Sequence, residues 1–199
     1  MNKLPKNVPL YLPELLEYLD KEDYQTQREL IVQYLSIDDM HFNALSAFVE
    51  LMVHPEVIWE LPIGSPPYNH AGEYINQGPN NLFRVFKELS VFLRGGSNFI
   101  QNNQKRETHW VVTLESLSKA EGALLCQIKE KELTQFKNID MGTFLDVYPD
   151  FLPKEVLESF LVKKQSKIPL VETFLKEPTI ESKPATKKAG RPSKNAIKS

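Results

Sequence analysis

Asn81-Leu82-Phe83-Arg84-Val85-Phe86-Lys87-Glu88-Leu89-Ser90-Val91-Phe92-Leu93 is the densest apolar run in the chain. Leu82, Val85, Phe86, Leu89 and Leu93 recur at the three- and four-residue spacing that gathers side chains on one face of an α-helix. Phe83 and Phe92 widen that face. The spacing therefore predicts a helix over 81–93, buried on most sides and wetted at Arg84, Lys87 and Glu88. Asn80 or Asn81 is placed to cap its start by accepting a free backbone N–H. Gly95, after Arg94, is placed for the left-handed conformation that closes a helix.

Working outward, the stretch before this run, 61–80, carries Pro62, Pro66, Pro67, Gly72, Gly78 and Pro79. A long loop in a compact domain is usually functional or disordered. Ile63, Tyr68, Tyr74 and Ile75 predict that this one packs on the body. Further upstream, 57–62 reads as an extended piece or a half-turn. Leu12, Leu15, Leu16 and Leu19 predict a helix from about 10, with Pro13 tolerated in its first turn. A second helix starts near 26, with Leu30, Ile31, Tyr34 and Leu35 inward. A third covers 39–53, with Phe42, Leu45, Phe48, Val49 and Met52 inward, capped by Asp38 or Asp39 and stopped near Pro55.

Downstream, a helix is expected over 103–117, with Trp110, Val111, Leu114 and Leu117 inward. Ser118-Lys119-Ala120-Glu121 has the form of a capping box and predicts a helix over 119–131, with Ala120, Ala123, Leu124 and Ile128 inward. Residues 134–138 read as a turn or short strand. A short helix starts at Asp140 or Thr143 and runs through Val147. A last one covers 154–164, with Val156, Leu157, Phe160 and Leu161 apolar. Ile168, Leu170, Val171, Phe174 and Leu175 form one more helix or a docking segment. The sum is an all-α, mostly helical single domain over 10–175, with a flexible start at 1–9 and a disordered basic tail at 176–199.

The formal net charge of −2 hides an asymmetry. Residues 178–199 hold Lys183, Lys187, Lys188, Arg191, Lys194 and Lys198 against Glu181, a net of +5, which leaves −7 for 1–177. An acidic body with a basic end points to an end that meets phosphate, or to a solvated tail that aids solubility. Cys126 is the one cysteine, so neither an internal disulfide nor a cysteine-based metal cluster can form. No apolar signal core follows the N-terminus, and no apolar run approaches the ~18 residues that span a bilayer. A soluble, intracellular protein without membrane contact is expected.

Leu61-Pro62, Gly64-Ser65-Pro66-Pro67-Tyr68, Asn81-Leu82, Phe86-Lys87, Arg106-Glu107-Thr108, Leu114-Glu115-Ser116-Leu117, Glu121, Lys129 and Tyr148-Pro149 follow in an order that resembles a family of uncharacterised proteins of T4-like tailed phages. The likeness spans 10–152 and lies in the order and spacing of short motifs. This chain has Lys105-Arg106 where the family pattern has two arginines. A lysine lacks the planar fork of arginine, so no bidentate role carries over to Lys105. The resemblance implies a phage origin and expression in the cytoplasm of a bacterial host; it implies no activity.

The segment Pro184-Ala185-Thr186-Lys187-Lys188-Ala189-Gly190-Arg191-Pro192-Ser193-Lys194 resembles an AT-hook. Gly190 would let the backbone approach a narrow groove, and Pro192 would keep the strand extended. Arg191 would enter the A·T minor groove, and Lys187, Lys188 and Lys194 would contact flanking phosphates. Ala189 stands where hooks carry a second arginine, so binding to double-stranded DNA is expected to be weak and salt-sensitive. Arg94, Lys105 and Arg106 bracket Gly95-Gly96 as a secondary phosphate patch, or else belong to a solvated loop and helix start. Pro66, Pro67 and Tyr68 mark a partner surface, or simply hold the loop in place with Tyr68 packed and its hydroxyl bonded.

His41, His54, His70 and His109 show no metal-ligand spacing. Cys126 as a nucleophile would need His109 as its base. No catalytic residue, metal or cofactor is assigned. The expected function is that of a non-enzymatic accessory protein. Its tail contacts A·T-rich DNA, near the host nucleoid, while its helical body binds a host or phage protein. The alternative is an interaction module whose tail is incidental.

Overall fold

The computed structural model of the protein describes residues 11–75 and 77–167. The start at 1–9, the segment around Ile168, Leu170, Val171, Phe174 and Leu175, and the tail at 176–199 with Lys187, Lys188, Gly190, Arg191, Pro192 and Lys194 lie outside those residues.

Eight α-helices fall within the described residues: α1 Leu12–Leu19, α2 Tyr24–Leu35, α3 Asp39–Val53, α4 Leu82–Val85, α5 Asn103–Glu115, α6 Lys119–Glu130, α7 Met141–Val147 and α8 Lys154–Lys167. The described part is all-α. Its β pairing is limited to two isolated bridges, Trp59 with Leu93 and Gly72 with Ser118.

Local chemistry places most helix starts. Asp23, Asp38, Asn81, Asn102 and Asp140 each accept a backbone N–H from the first turn of the helix they precede. Helix α6 ends on Lys131 in the left-handed conformation, at φ 57°. The first and second helices bury the expected residues, Leu12, Leu15, Leu16, Leu19, Leu30, Ile31 and Tyr34. Gln27 staples their junction: its Nε2 donates to the carbonyls of Leu19 and Glu22, and to that of Asn138 across the fold.

Helix α3 is the hub. It packs on α2, α4, α6 and α7, while α6 also meets α1 and α5. Leu45, Phe48 and Val49 of α3 and Leu124, Leu125 and Ile128 of α6 are shielded from water and share one apolar core with α1, α2, α5 and α7. Phe48 meets Phe144 of α7 edge-on at 5.8 Å between ring centres.

The helix expected over 81–93 is not continuous, which corrects the reading of that run. Helix α4 covers only its first turn, and a 3-10 turn, Leu89–Phe92, follows. After α4 the backbone bonds tighten to three-residue spacing, Lys87 N to the Arg84 oxygen at 3.1 Å and Glu88 N to the Val85 oxygen at 2.9 Å, and the far end of the run is held by other parts of the chain. The Phe92 oxygen accepts from Glu60 N at 2.9 Å, and the Val91 oxygen accepts from Ile100 N at 3.0 Å. Arg94 N donates to the Ile58 oxygen at 2.9 Å, so the piece at 57–62 is an extended rung against 92–94. The apolar side chains still go inward: Leu82, Phe83, Val85, Leu89 and Phe92 are buried and Phe86 is half-buried. Gly95 does adopt positive φ, 75°, but in the turn that follows this rung.

The capping box over 118–121 is also replaced. Ser118 Oγ lies 2.6 Å from Glu121 Oε2, a contact between side chains. The other carboxylate oxygen accepts from Leu82 N, at 3.1 Å. Glu121, fully buried, thus ties the start of α6 to the start of α4. Residues 134–138 form a turn, and α8 extends three residues past the expected end.

Candidate functional site

The Pro- and Gly-rich loop before α4 lies along α6 and is fixed to it at both ends. At its far end the loop backbone pairs with the α5–α6 junction. Ala71 N donates to the Leu117 oxygen and Lys119 N to the Gly72 oxygen, both at 2.9 Å; Asn80 N donates to the Ser116 oxygen at 3.2 Å. At its near end the anchors are charged. The buried Lys129 ammonium donates to the Pro62 carbonyl at 2.7 Å and pairs with the Glu130 carboxylate. That carboxylate also accepts from Gly64 N at 2.8 Å. Lys129 beside it holds the Glu130 carboxyl below the usual range. Lys129 spans the 67 positions back to Pro62, so the loop is closed by a contact remote in sequence.

Between these anchors Tyr68 lies half-buried on Gly122 of α6. A Cβ at that position would stand 2.9 Å from the Tyr68 hydroxyl oxygen, so the close approach needs glycine. Burial pushes the Tyr68 hydroxyl pKa up. Of the three residues expected to form a partner surface, Tyr68 packs against the core, Pro66 is half-buried and Pro67 faces water. Tyr74, 73% exposed, does not pack on the body as expected, and neither does Ile63. It sits at the tip of the pinned turn, 94% exposed, between Pro62 and a Gly64 with φ 88°. The visible signal was a large apolar residue between a proline and a glycine.

A groove of about 320 Å³ opens between this turn and α5. Trp110 and Val111 line it from the helix, Ile63 and Pro66 from the loop. Trp110 is buried and held by edge-on contacts with Trp59 at 5.7 Å and Phe92 at 5.2 Å, so this wall is rigid. A second recess of similar volume, on the other side of the loop, is lined by Tyr68 and Cys126. Burial raises the Cys126 thiol pKa, opposite to what an activated nucleophile needs. His109, its suggested base, instead stacks on Phe92 at 5.5 Å.

The residues read as a secondary phosphate patch do not converge on an open face. Arg106 turns inward and is buried: Nε donates to the Glu60 carbonyl at 2.6 Å, Nη1 to Ile100 O at 2.6 Å and Nη2 to Asn103 Oδ1 at 2.7 Å. Its guanidinium also lies over the Phe99 ring, 4.9 Å from the centre. Those bonds use the donors that a phosphate would need, which corrects the reading of Arg106. Arg94 is exposed but pairs with the Glu60 carboxylate. Lys105 is exposed on α5. An acidic side chain therefore sits where phosphate was expected.

Among the described residues no group of three or more His, Cys, Asp or Glu could hold a metal ion, and no helix is long and apolar enough to cross a membrane.

The model of a family of unknown function, DUF6433, matches residues 17–135. The chain belongs to that family. The match runs from within α1 to the turn after α6, and so takes in the whole loop and both helices that hold it. No match was found among curated proteins or among solved structures.

Proposed function

We propose that the protein is a phage-encoded, non-enzymatic accessory protein of the host cytoplasm. Its basic C-terminal segment holds A·T-rich DNA, and its helical body holds a host or phage protein. Gly190-Arg191-Pro192 within a +5 segment, attached to a −7 body, is the observation that carries the DNA half. The net charge of the body disfavours phosphate, and of its suggested basic patch Arg94 pairs with the Glu60 carboxylate and Arg106 is buried on the Glu60 carbonyl. The protein half rests on the pinned loop and the exposed Ile63. Joining the two raises the local concentration of the partner on DNA.

A mobility-shift titration on an A·T-rich duplex tests the DNA half, using the full chain, residues 1–177 and the full chain with Arg191→Ala. Four cationic contacts give a salt slope of about −3 to −4, so affinity should fall roughly 100-fold between 50 and 200 mM salt. Both altered proteins should lose the shift. Equal binding by all three rejects the tail's role.

One observation favours a second reading, a pure interaction module with an incidental tail: the loop and its groove lie wholly within the described body. Affinity capture from infected cells, with nuclease, discriminates. A stoichiometric partner that survives both nuclease and tail removal supports the module.

A further inference from the structure

Ile63 is the most exposed large apolar side chain among the described residues, at 94%. It is not on a loose loop. The carbonyl before it, of Pro62, is held by Lys129, and the N–H after it, of Gly64, is held by Glu130. A residue fixed in water in this way has already lost the backbone freedom that binding would otherwise remove. The groove it borders is walled by Trp110 and Val111 and, at about 320 Å³, has room for one or two side chains.

Glu107 is the one charged side chain lining that groove. It is exposed and has no ion-pair partner among the described residues. Its carboxylate, on a body of net −7, repels phosphate and favours a cation. The loop also offers little for strand addition: Pro62 and Pro66 have no N–H, and Gly64 N is already bonded. Recognition here falls on side chains.

We propose that this groove binds a linear segment of a partner protein, with an apolar side chain against Ile63 and Val111 and a lysine or arginine beside Glu107. The inference rests on the half of the functional reading in which the body binds a protein. It is independent of the tail.

The test pans a displayed library of random linear peptides against the immobilised full chain. Fluorescein-labelled copies of the enriched peptides are then titrated by polarisation. Enriched peptides should pair an aliphatic or aromatic residue with a nearby Lys or Arg. Ile63→Asp should weaken their binding at least about tenfold, as loss of a central apolar contact does. Glu107→Lys should turn the preference toward acidic peptides. Both positions are exposed, and unchanged circular dichroism and melting will confirm that the variants fold.

No enrichment over a blank support, enrichment without a basic residue, or affinity unmoved by Ile63→Asp would each overturn the assignment. So would concentration-dependent self-association in sedimentation that Ile63→Asp abolishes, because a second copy would then be the occupant. A protein captured from infected cells that binds the Ile63→Asp and Glu107→Lys chains normally removes the groove but leaves the functional reading. Loss of the DNA shift with peptide binding intact removes only the tail.

Discussion

The Arg106 guanidinium donates from Nε to the Glu60 backbone carbonyl at 2.6 Å, while Arg94 pairs with the carboxylate of the same residue. Glu60 is thus the point where α5 and the extended rung at 92–94 meet. The arrangement uses both ends of one residue, and it needs the planar fork of arginine at 106 because three acceptors surround the group.

Arg106→Met should therefore cost about 1–3 kcal/mol, since it leaves the part-buried carbonyls of Glu60 and Ile100 without a donor. Arg106→Lys should recover only part of this. Urea titration of both variants, read by Trp fluorescence, checks the order. If both variants unfold at the parent midpoint, the staple contributes nothing.

Glu121 joins α6 to α4 through Leu82 N. Glu121→Ala strands that N–H and Ser118 Oγ in the core and should destabilise by roughly 1–3 kcal/mol. Glu121→Gln keeps an acceptor for Leu82 N but loses the one to which the Ser118 hydroxyl donates, so it should cost less than Glu121→Ala, about 1 kcal/mol. Glu121→Met keeps the side-chain bulk but accepts neither bond, so in thermal melting it should fall with Glu121→Ala; if it melts with Glu121→Gln instead, lost volume and not the bonds sets the cost.

Tyr68 lies against Gly122 of α6. Gly122→Ala gains about 1 kcal/mol of helix propensity, but the new methyl forces the Tyr68 ring outward. Overpacking costs about 1–3 kcal/mol where nothing yields, and a half-buried ring can yield, so the net change should be small. In a Tyr68→Ala background the same change should stabilise outright. A double-mutant cycle measures the coupling; additive effects would mean that the ring and Gly122 do not touch in solution.

The loop anchor should respond to acid. Lys129 first, then the Gly64 N–H, hold the folded Glu130 carboxyl below its ordinary value near 4.5. A folded pKa below the unfolded one gives stability that is present above the unfolded value and is lost as pH falls through the folded value. Amide exchange at Gly64 should therefore quicken, beyond the intrinsic pH trend, below about pH 4.5. Asp23, Asp38 and Glu73 are also held low, so global melting will fall with acid for several reasons. In Glu130→Gln the local exchange effect at Gly64 should vanish while the global one remains.

Helix positions were legible in the sequence because their causes are local. The spacing of Leu12, Leu15, Leu16 and Leu19, and the short oxygen-bearing side chains of Asp38, Asn81 and Asp140, act within one or two turns. The apolar run at 82–92 was equally correct as core, since burial follows composition whatever the backbone does. The charge split and the Gly-Arg-Pro segment are likewise properties of sequence alone.

Only the tertiary structure decided how that run is broken, where Glu121 and Arg106 point, and how the loop is held. In each case the deciding partner is distant in the chain: Glu60 for Phe92, Leu82 for Glu121, Pro62 for Lys129. A local pattern states that a carbonyl or a charge needs a partner. Which remote group satisfies it depends on how the helices pack, and that packing leaves Ile63 fixed in water beside Trp110 and Val111.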